Sequence, residues 1–206
     1  EESIEKRYKT NYQYKDEILK KYGRIFSYDN IGNYSGKIKN ILDKIITSEG
    51  VSIIYSQYID GGVLPIALAL EEMGYKRYGN TKSLFSEEHI KQHKIVPIDY
   101  QHNVKSNIKE NEFKQASYAM ITGDMLLSPD NSQELMAATE NSNIYGSKIK
   151  VIFITRAGSE GLDFKFVRNV FVLDPWYNIS RIEQIIGRAI RFKSHKDLPF
   201  EKRNTS

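Results

Sequence analysis

Three side chains near the end of the sequence have the types and spacing of a phosphate-binding surface. Gln184, Arg188 and Arg191 stand at positions i, i+4 and i+7, which place them on one face of a helix. Arg181 lies one turn earlier, so this face is a row of planar hydrogen-bond donors. Guanidinium groups on one ridge repel one another unless an anion lies opposite, and their forked geometry matches phosphate oxygens. The spacing therefore predicts that this face binds a phosphate group.

The helix that carries these donors is predicted to begin at about Arg181. Pro175 blocks continuation of the preceding strand, and Ser180 with Glu183 forms an S-x-x-E capping box. The face opposite the donors repeats apolar side chains at helical spacing, which predicts that it packs on a sheet. That apolar face consists of Ile182, Ile185, Ile186, Ala189 and Ile190.

Two short strands and a glycine-rich turn precede this helix. Residues 151–154 and 170–173 are β-rich apolar runs bounded by turn signals, as expected for buried parallel strands. Gly158 and Gly161 lie between them, where a missing side chain permits close approach of the backbone to another group. Short hydrogen-bonding side chains lie on the same connection: Thr155, Ser159 and Asp163.

At these residues the chain resembles the second RecA-like domain of superfamily 2 helicases and related nucleic-acid-stimulated ATPases. Residues 184–191, QIIGRAIR, are similar to the Q-x-x-G-R-x-x-R pattern of motif VI. Residues 155–163 resemble motif V, a threonine followed six residues later by Gly-Leu-Asp. Residues 174–178, DPWYN, look like the D-P-W-x-N segment of chromatin-remodeller-type members.

The resemblance implies a role for each matching residue. Arg188 and Arg191 would be arginine fingers that reach the γ-phosphate of ATP bound on a partner domain, with Gln184 orienting the attacking water. Gly161 and Asp163 would line the nucleotide side of the cleft. A simple turn cap remains the alternative for Asp163.

Polar residues that directly follow predicted strands are the expected contacts with nucleic acid. Ser56 and Gln57 follow the strand at residues 51–55, where the family has motif IV; an ordinary polar turn is an equally weighted alternative. Thr122 and Gly123 follow a strand at residues 118–121, and the resemblance gives Thr155 a nucleic-acid phosphate as its contact. Because open parallel sheets gather ligand-bearing residues at the carboxyl ends of their strands, these residues are predicted to share one edge with Asp174, which also follows a predicted strand.

The sequence lacks the half of an ATP site that would hold the phosphates. A phosphate-binding loop needs G-x-x-x-x-G-K-[ST], whereas Gly32 and Gly36 are separated by three residues and Lys37 is followed by Ile38. No strand ends in the carboxylates that hold magnesium. ATP and Mg²⁺ are therefore expected to be bound mainly by an N-terminal RecA-like domain that this sequence does not contain, and the chain alone is expected to be inactive.

The favoured interpretation is the C-terminal motor domain of an ATP-dependent helicase or translocase. The main alternative is a non-catalytic RecA-like module that binds nucleic acid or a transcription partner. A phosphate-ester enzyme acting alone ranks last, since the sequence assembles no base, nucleophile or metal cluster. An upstream phosphate-binding loop followed by an acidic motif would favour the motor.

Two further segments resemble a narrower group, the helicase-like ATPases of large nucleocytoplasmic DNA viruses. They are residues 61–75, GGVLPIALALEEMGY, and residues 195–204, HKDLPFEKRN. This group includes the poxvirus early-transcription-factor ATPase subunit and nucleoside triphosphatase I. The implied partners are the N-terminal RecA-like domain, single-stranded or duplex DNA or RNA, and viral transcription machinery. The expected location is intracellular and soluble, in a virion or a cytoplasmic virus factory.

Composition restricts the other classes. The 206 residues, of which 40% are hydrophobic, suit one core, and the absence of cysteine excludes disulfides and thiolate metal sites. No apolar run approaches the roughly 18 residues of a membrane span. Residues 181–206 hold seven basic side chains against three acidic ones, which suits polyanion binding, with a solvated surface as an equal alternative.

The predicted organisation is an N-terminal flank or linker over residues 1–34, followed by a RecA-like α/β domain over residues 35–206. That domain has a parallel sheet of about five strands with helices on both faces. Helices are predicted over residues 1–23, after a cap near Ser35 with Ile38, Ile41, Leu42 and Ile45 inward, at about residues 62–73, and at about residues 131–141.

Residues from about 80 to 115 have little periodicity and are interpreted as a polar insertion. Partial disorder, contact with nucleic acid through its lysines and docking of another subunit remain the alternatives. His89, His93 and His102 invite a metal site, but a zinc site wants further ligands, so solvated surface is the favoured interpretation and no metal site is predicted.

Overall fold

The computed structural model describes residues 11–79, 82–104, 107–124, 127–128, 131–156, 164–175 and 179–189. Within them, five strands form one sheet in which every neighbouring pair is parallel. The strands are β1 (Val51–Tyr55), β2 (Lys76–Arg77), β3 (Ser117–Ile121), β4 (Val151–Ile154) and β5 (Val167–Val172). Across the sheet they run in the order β2-β3-β4-β1-β5. The predicted RecA-like parallel sheet is confirmed.

The three central strands, β3, β4 and β1, are buried along their whole length. Their mainly apolar sequences suit strands covered on both faces, and the predicted bounds of β1 and β4 are confirmed. Strand β5 lies at an edge of the sheet, where Arg168 and Asn169 are only partly buried. It spans Val167–Val172 rather than the predicted residues 170–173, because a polar pair hides its start from a hydrophobicity pattern.

The helices of the described residues are α1 (Asp16–Tyr22), α2 (Ile31–Tyr34), α3 (Gly36–Thr47), α4 (Leu64–Glu72), α5 (Glu87–Gln92), α6 (Asn131–Thr139) and α7 (Ile179–Ala189). A π-helical turn, Ile59–Val63, leads into α4. The predicted cap of α3 is confirmed, because Ser35 Oγ accepts a hydrogen bond from Ile38 N at 3.2 Å. None of these helices combines the length and apolar character needed to cross a membrane.

Helices cover both faces of the sheet, as predicted. On one face, Ile54 of β1 and Phe153 of β4 belong to a core that includes Leu42 of α3. On the other face, Ile53 of β1 packs in a second core with Ala137 of α6. Strands β1, β3 and β4 each contribute to both cores because successive side chains point to opposite faces.

The segment before α3 packs against the segment interpreted as an insertion. Residues 11–15 are not helical, and α1 begins only at Asp16, so the predicted helix over residues 1–23 is wrong for this part. Tyr12 forms a parallel bridge with Phe85, and the Tyr12 amide donates to the Leu84 carbonyl oxygen at 2.7 Å. Residues 1–10 lie outside the described residues.

Glu71, near the end of α4, joins the start of the insertion segment to the sheet. Its carboxylate accepts hydrogen bonds from Leu84 N and Phe85 N, each at 2.8 Å, and from Tyr118 Oη of β3 at 2.7 Å. Burial raises the pKa of the Glu71 carboxyl, and these hydrogen bonds act in the opposite direction. The Glu71 carboxylate thus supplies the hydrogen-bond acceptors that the buried amide groups of Leu84 and Phe85 require.

Glu72, the next residue, joins the N-terminal segment to the end of α4 and to His89 of α5. It forms an ion pair with Arg24 at 3.1 Å, accepts a hydrogen bond from Tyr14 Oη at 3.1 Å and lies 3.2 Å from His89 Nε2. His89 is only 3% exposed, and its ring stacks on Phe85 with centroids 4.0 Å apart. The predicted solvated surface is therefore wrong for His89, which is a core side chain beside a buried carboxylate.

Candidate functional site

The carboxyl ends of four neighbouring strands form one edge of the sheet, here called the carboxyl edge. It consists of residues 122–124 after β3, 155–156 after β4, 56–58 after β1 and 173–175 after β5. Because the strands are parallel, these segments lie side by side in that order. The edge brings together the residues predicted to contact nucleic acid: Ser56, Gln57, Thr122, Gly123 and Thr155.

Asp174 organises the turn after β1. Its carboxylate accepts a hydrogen bond from Ser56 Oγ at 2.6 Å through one oxygen and from Gln57 N at 2.7 Å through the other. Ser56 Oγ also lies 3.0 Å from the Tyr58 carbonyl oxygen and 3.1 Å from the Tyr58 amide nitrogen. The turn is therefore held by a side chain from the neighbouring strand end as well as by its own contacts.

The π-helical turn that follows comes very close to Ser56. A Cβ atom placed on Gly62 would lie 2.0 Å from Ser56 Oγ and 2.8 Å from Ser56 Cβ, so a side chain at this position requires a shift. A Cβ atom on Gly61 would meet nothing within 4 Å. The need for glycine at position 62 thus comes from the packing of the turn and not from its own backbone angles.

Lys37 has a structural role at the same edge. The Lys37 ammonium, at the start of α3, donates to the Leu173 carbonyl oxygen at 2.9 Å. That contact joins the first turn of α3 to the end of β5, directly before Asp174. The Gly36-Lys37 pair that superficially resembles a phosphate-binding loop therefore holds two elements of the fold together.

The threonines after β3 and β4 form a second hydrogen-bonded group at the carboxyl edge. Thr155 Oγ1 donates to the Thr122 carbonyl oxygen at 2.6 Å. Thr122 Oγ1 lies 2.8 Å from Ser128 Oγ, which also accepts from Thr122 N at 2.9 Å. Both threonines are buried, so their hydroxyl groups fix the shape of the loops between strands.

The predicted nucleic-acid residues thus fall into two kinds. Ser56, Thr122 and Thr155 are buried and hydrogen-bonded within the protein. Gly123 is exposed and Gln57 is partly exposed, so these two present groups to the solvent at the carboxyl edge. The edge therefore offers the main chain of Gly123 and the side-chain amide of Gln57 to a ligand. The buried hydroxyl groups of Ser56, Thr122 and Thr155 hold the loops in place.

Helix α7 carries the segment similar to motif VI and contacts β5. Its described part begins at Ile179, within two residues of the predicted start at about Arg181. Gln184 is exposed, as expected for the donor face. Ile186 is 37% exposed, which contradicts its predicted packing on the sheet.

Four of the predicted site residues lie wholly or partly outside the described residues. The backbone of Arg188 lies in α7, but its side chain is outside what the structure describes. Arg191, Gly161 and Asp163 lie outside the described residues. Among the described residues, no group of three or more His, Cys, Asp or Glu side chains is arranged to hold a metal ion.

The sequence predicts that Asp174 lies at the carboxyl edge, because it follows a strand, but it does not predict which groups this carboxylate holds. Its partners Ser56 and Gln57 are 118 and 117 positions away in the chain, and no local pattern indicates those hydrogen bonds. Tyr58 is a residue of this edge that the sequence analysis does not identify as a candidate. It is 62% exposed, and an aromatic residue among polar ones is the signal that could have found it.

Comparison with known proteins gives a consistent family. The profile of the family described as "Helicase conserved C-terminal domain" matches residues 80–193, a range that includes the segment interpreted as an insertion. The termination factor NPH-I homolog of African swine fever virus is 34% identical over 183 residues, covering 83% of this chain and 25% of that protein.

Two other viral relatives extend the comparison. A putative ATP-dependent RNA helicase of Acanthamoeba polyphaga mimivirus is 33% identical over 174 residues, covering 84% of this chain and 25% of that protein. The nucleoside triphosphatase I of Melanoplus sanguinipes entomopoxvirus is 53% identical over 62 residues, covering 30% of this chain and 9% of that protein. The chain spans about a quarter of the length of the first two relatives.

Proposed function

This chain belongs to the helicase conserved C-terminal domain family, and on that basis we propose that it is the second motor domain of a viral nucleic-acid-dependent ATPase. The observation that carries the proposal is the arrangement of the carboxyl edge. Four strand ends with family motifs or polar turns stand side by side, and the helix with the motif VI pattern contacts the edge strand β5. Such an edge is where open parallel sheets bind ligands.

In the proposed mechanism, ATP is bound on a first motor domain and this chain closes over it. Arg188 and Arg191 approach the γ-phosphate as arginine fingers, and Gln184 orients the attacking water. Gly161 and Asp163 line the nucleotide side of the cleft. Since negative charge spreads over the phosphoryl oxygens in the transition state, such a finger is worth roughly 10³ to 10⁵ in turnover. Mg²⁺, held mainly by the first domain, would neutralise charge on the phosphates.

The carboxyl edge would also hold the nucleic acid. Gln57 and Gly123, which reach the solvent, are the proposed direct contacts with the sugar-phosphate backbone. Ser56, Thr122 and Thr155 contribute by fixing the loops from which those contacts are made, because their hydroxyl groups are already hydrogen-bonded. Opening and closing of the ATP site would then move these loops along the strand.

The second candidate function is a non-catalytic module that binds nucleic acid or a transcription partner without facing ATP. The partial match to a protein named as a termination factor homolog gives this alternative its interest. The two functions differ in one respect: the motor needs the motif VI arginines for turnover, whereas the module does not.

The test uses the longer protein that joins this chain to a first motor domain, with the isolated chain beside it. Arg188→Ala and Arg191→Ala should each lower ATP turnover by about 10³ or more while nucleotide binding weakens much less. Lys165→Ala, an exposed basic residue just before β5 and therefore away from the carboxyl edge, is the control and should keep most of the turnover. The isolated chain should hydrolyse no ATP above background, and normal turnover in folded arginine variants would leave the module as the better function.

A further inference from the structure

The Tyr58 side chain stands out at the carboxyl edge because its ring is in solvent while its backbone is fixed. The residue is 62% exposed, although it lies only two positions after the buried Ser56. Its amide nitrogen and carbonyl oxygen both lie within hydrogen-bond distance of Ser56 Oγ, at 3.1 and 3.0 Å. A rigid backbone that presents an aromatic ring to solvent is pre-organised to receive a flat ligand.

We propose that Tyr58 is a stacking platform for an unpaired nucleobase. This inference rests on the proposed function and deepens it, because it names the form of the nucleic acid at this edge as a single strand. Every base has a flat aromatic face, so stacking on a tyrosine holds a strand without selecting its sequence.

The charges of this turn favour a base over a phosphate. Asp60 is exposed two residues after Tyr58, and Asp174 accepts from Gln57 N, the amide just before Tyr58. Two carboxylates disfavour a phosphate here, although the Lys37 ammonium lies near Asp174 on the Leu173 carbonyl oxygen, whereas the face of a base carries no net charge. The sugar-phosphate backbone would then run on the side of Gly123 and Gln57, where exposed groups follow β3 and β1.

The other exposed tyrosines of the described residues differ from Tyr58. Tyr22 and Tyr34 meet edge to face with centroids 6.5 Å apart, and the Lys21 ammonium lies 5.0 Å from the Tyr22 centroid. Tyr145 is 41% exposed but precedes β4, at the opposite end of the sheet from the carboxyl edge. Tyr145 therefore provides a matched control of the same residue type at a distant position.

The experiment measures binding of this chain to two oligonucleotides by fluorescence anisotropy at low salt. One is an oligothymidylate of about twelve nucleotides, a length within the range that single-strand-binding folds cover. The other has the same length and charge but carries abasic sites in place of its bases. Tyr58→Ala should weaken binding of the oligothymidylate by about fivefold or more, and Tyr58→Phe should retain binding because the ring remains. Neither variant should change binding of the abasic strand.

The outcomes separate this inference from the proposed function. If Tyr58→Ala weakens both strands equally, or neither, the ring does not stack on a base, and contact with the first motor domain becomes its better explanation. If the unaltered chain binds neither strand, both the nucleic-acid part of the proposed function and this inference fail. Tyr145→Ala should bind both strands like the unaltered chain. In a parallel titration with a duplex of the same length, tighter binding of the duplex than of the oligothymidylate would also overturn the single-strand assignment.

Discussion

Ser56 Oγ donates a hydrogen bond of 2.6 Å to the carboxylate of Asp174, a residue 118 positions later in the chain. This contact joins the ends of β1 and β5, which are neighbours in the sheet but are separated in sequence by most of the domain. The same carboxylate holds the Gln57 amide, so the loop that follows β1 depends on the loop that follows β5. A movement of either strand end would be transmitted to the other through one side chain.

The first prediction concerns this carboxylate. Asp174→Asn replaces one of its two acceptor oxygens by an NH₂ group, which faces a donor and loses a charge-assisted hydrogen bond. We expect the free energy of unfolding to fall by about 1 to 3 kcal/mol, the cost of a buried polar group left without its partner. Urea unfolding of the isolated chain, followed by circular dichroism, measures the change.

Asp60→Asn is the control for this prediction, because Asp60 is an exposed carboxylate in the next turn of the chain. Its effect should stay within about 0.5 kcal/mol. The double variant with Ser56→Ala should cost less than the sum of the two single changes, since both remove the same contact. Equal losses for Asp60→Asn and Asp174→Asn would show that Asp174 is not the residue that holds the turn.

The second prediction concerns Glu72, which holds the N-terminal segment. Glu72→Gln removes the charge opposite Arg24 at a site where the Glu72 side chain is fully buried. The Arg24 side chain is 34% exposed, so water partly solvates the charge that is left, and stability should fall by about 1 to 2 kcal/mol, less than for a fully buried pair. Hydrogen exchange should also become faster at the amides of residues 11–26, which pack through Tyr14 and Arg24 on this carboxylate.

The surface pair between Glu87 and Lys91 gives the matched control. These side chains are 91% and 79% exposed, and their charged atoms lie 3.6 Å apart. Glu87→Gln should change stability by less than about 0.5 kcal/mol, because solvent screens an exposed pair. Unchanged exchange over residues 11–26 in Glu72→Gln would mean that the N-terminal segment is held by its apolar contacts alone.

The parts of this fold that were predictable are those in which neighbouring residues contain the whole signal. Strand β4 is a continuous apolar run and β1 is apolar except for Ser52. The Ser35 cap of α3 accepts its hydrogen bond from an amide only three residues later. The two-residue strand β2 was not identified, because Lys76 and Arg77 carry no apolar pattern. Arg77 is nevertheless buried, and its guanidinium donates to the Leu127 carbonyl oxygen at 2.5 Å.

The candidate site was predictable in location but not in its contacts. Order along the chain sufficed to place Ser56, Thr122 and Thr155 at one edge of a parallel sheet. It could not reveal that their hydroxyl groups are buried, because the partners of Ser56 and Thr155 come from other strand ends. The prediction of a solvated surface is wrong at His89 for the same reason. Glu72 and Phe85 bury this side chain, and no periodic pattern in the sequence indicates such tertiary contacts.

The third prediction is a loss of stability in acid that depends on His102. Burial, with the nearby Lys150 charge as a second cause, lowers the pKa of His102 from 6.5 to about 4. Its Nε2 atom lies 2.6 Å from Tyr75 Oη, and burial raises the pKa of Tyr75, so the tyrosine donates to a neutral imidazole. Between about pH 6.5 and pH 4 the unfolded chain binds a proton that the folded chain does not, so folding stability falls as the pH falls.

Comparison of the unaltered chain with His102→Gln isolates this contribution. The difference between their free energies of unfolding should be constant above about pH 7 and should shift in favour of the variant below it. The shift should be about 3 kcal/mol near pH 4, since the pKa difference is about 2.5 and each tenfold change in proton affinity is worth about 1.4 kcal/mol. A difference that stays constant across this range would show that His102 titrates normally in the folded protein.

The last prediction compares two adjacent glycines in the π-helical turn before α4. Neither has a positive φ angle, so the backbone at both positions accepts alanine, and the outcome depends on the space available. A Cβ atom on Gly62 would lie 2.0 Å from Ser56 Oγ, and Asp174 and Tyr58 hold that hydroxyl where it is. Gly62→Ala should therefore cost about 1 to 3 kcal/mol as an overpacked site. Gly61→Ala, whose Cβ would meet nothing within 4 Å, should be neutral or stabilising by up to about 1 kcal/mol. Thermal unfolding of the two variants measures both effects, and an equal midpoint for both would mean that Ser56 is free to move away from Gly62.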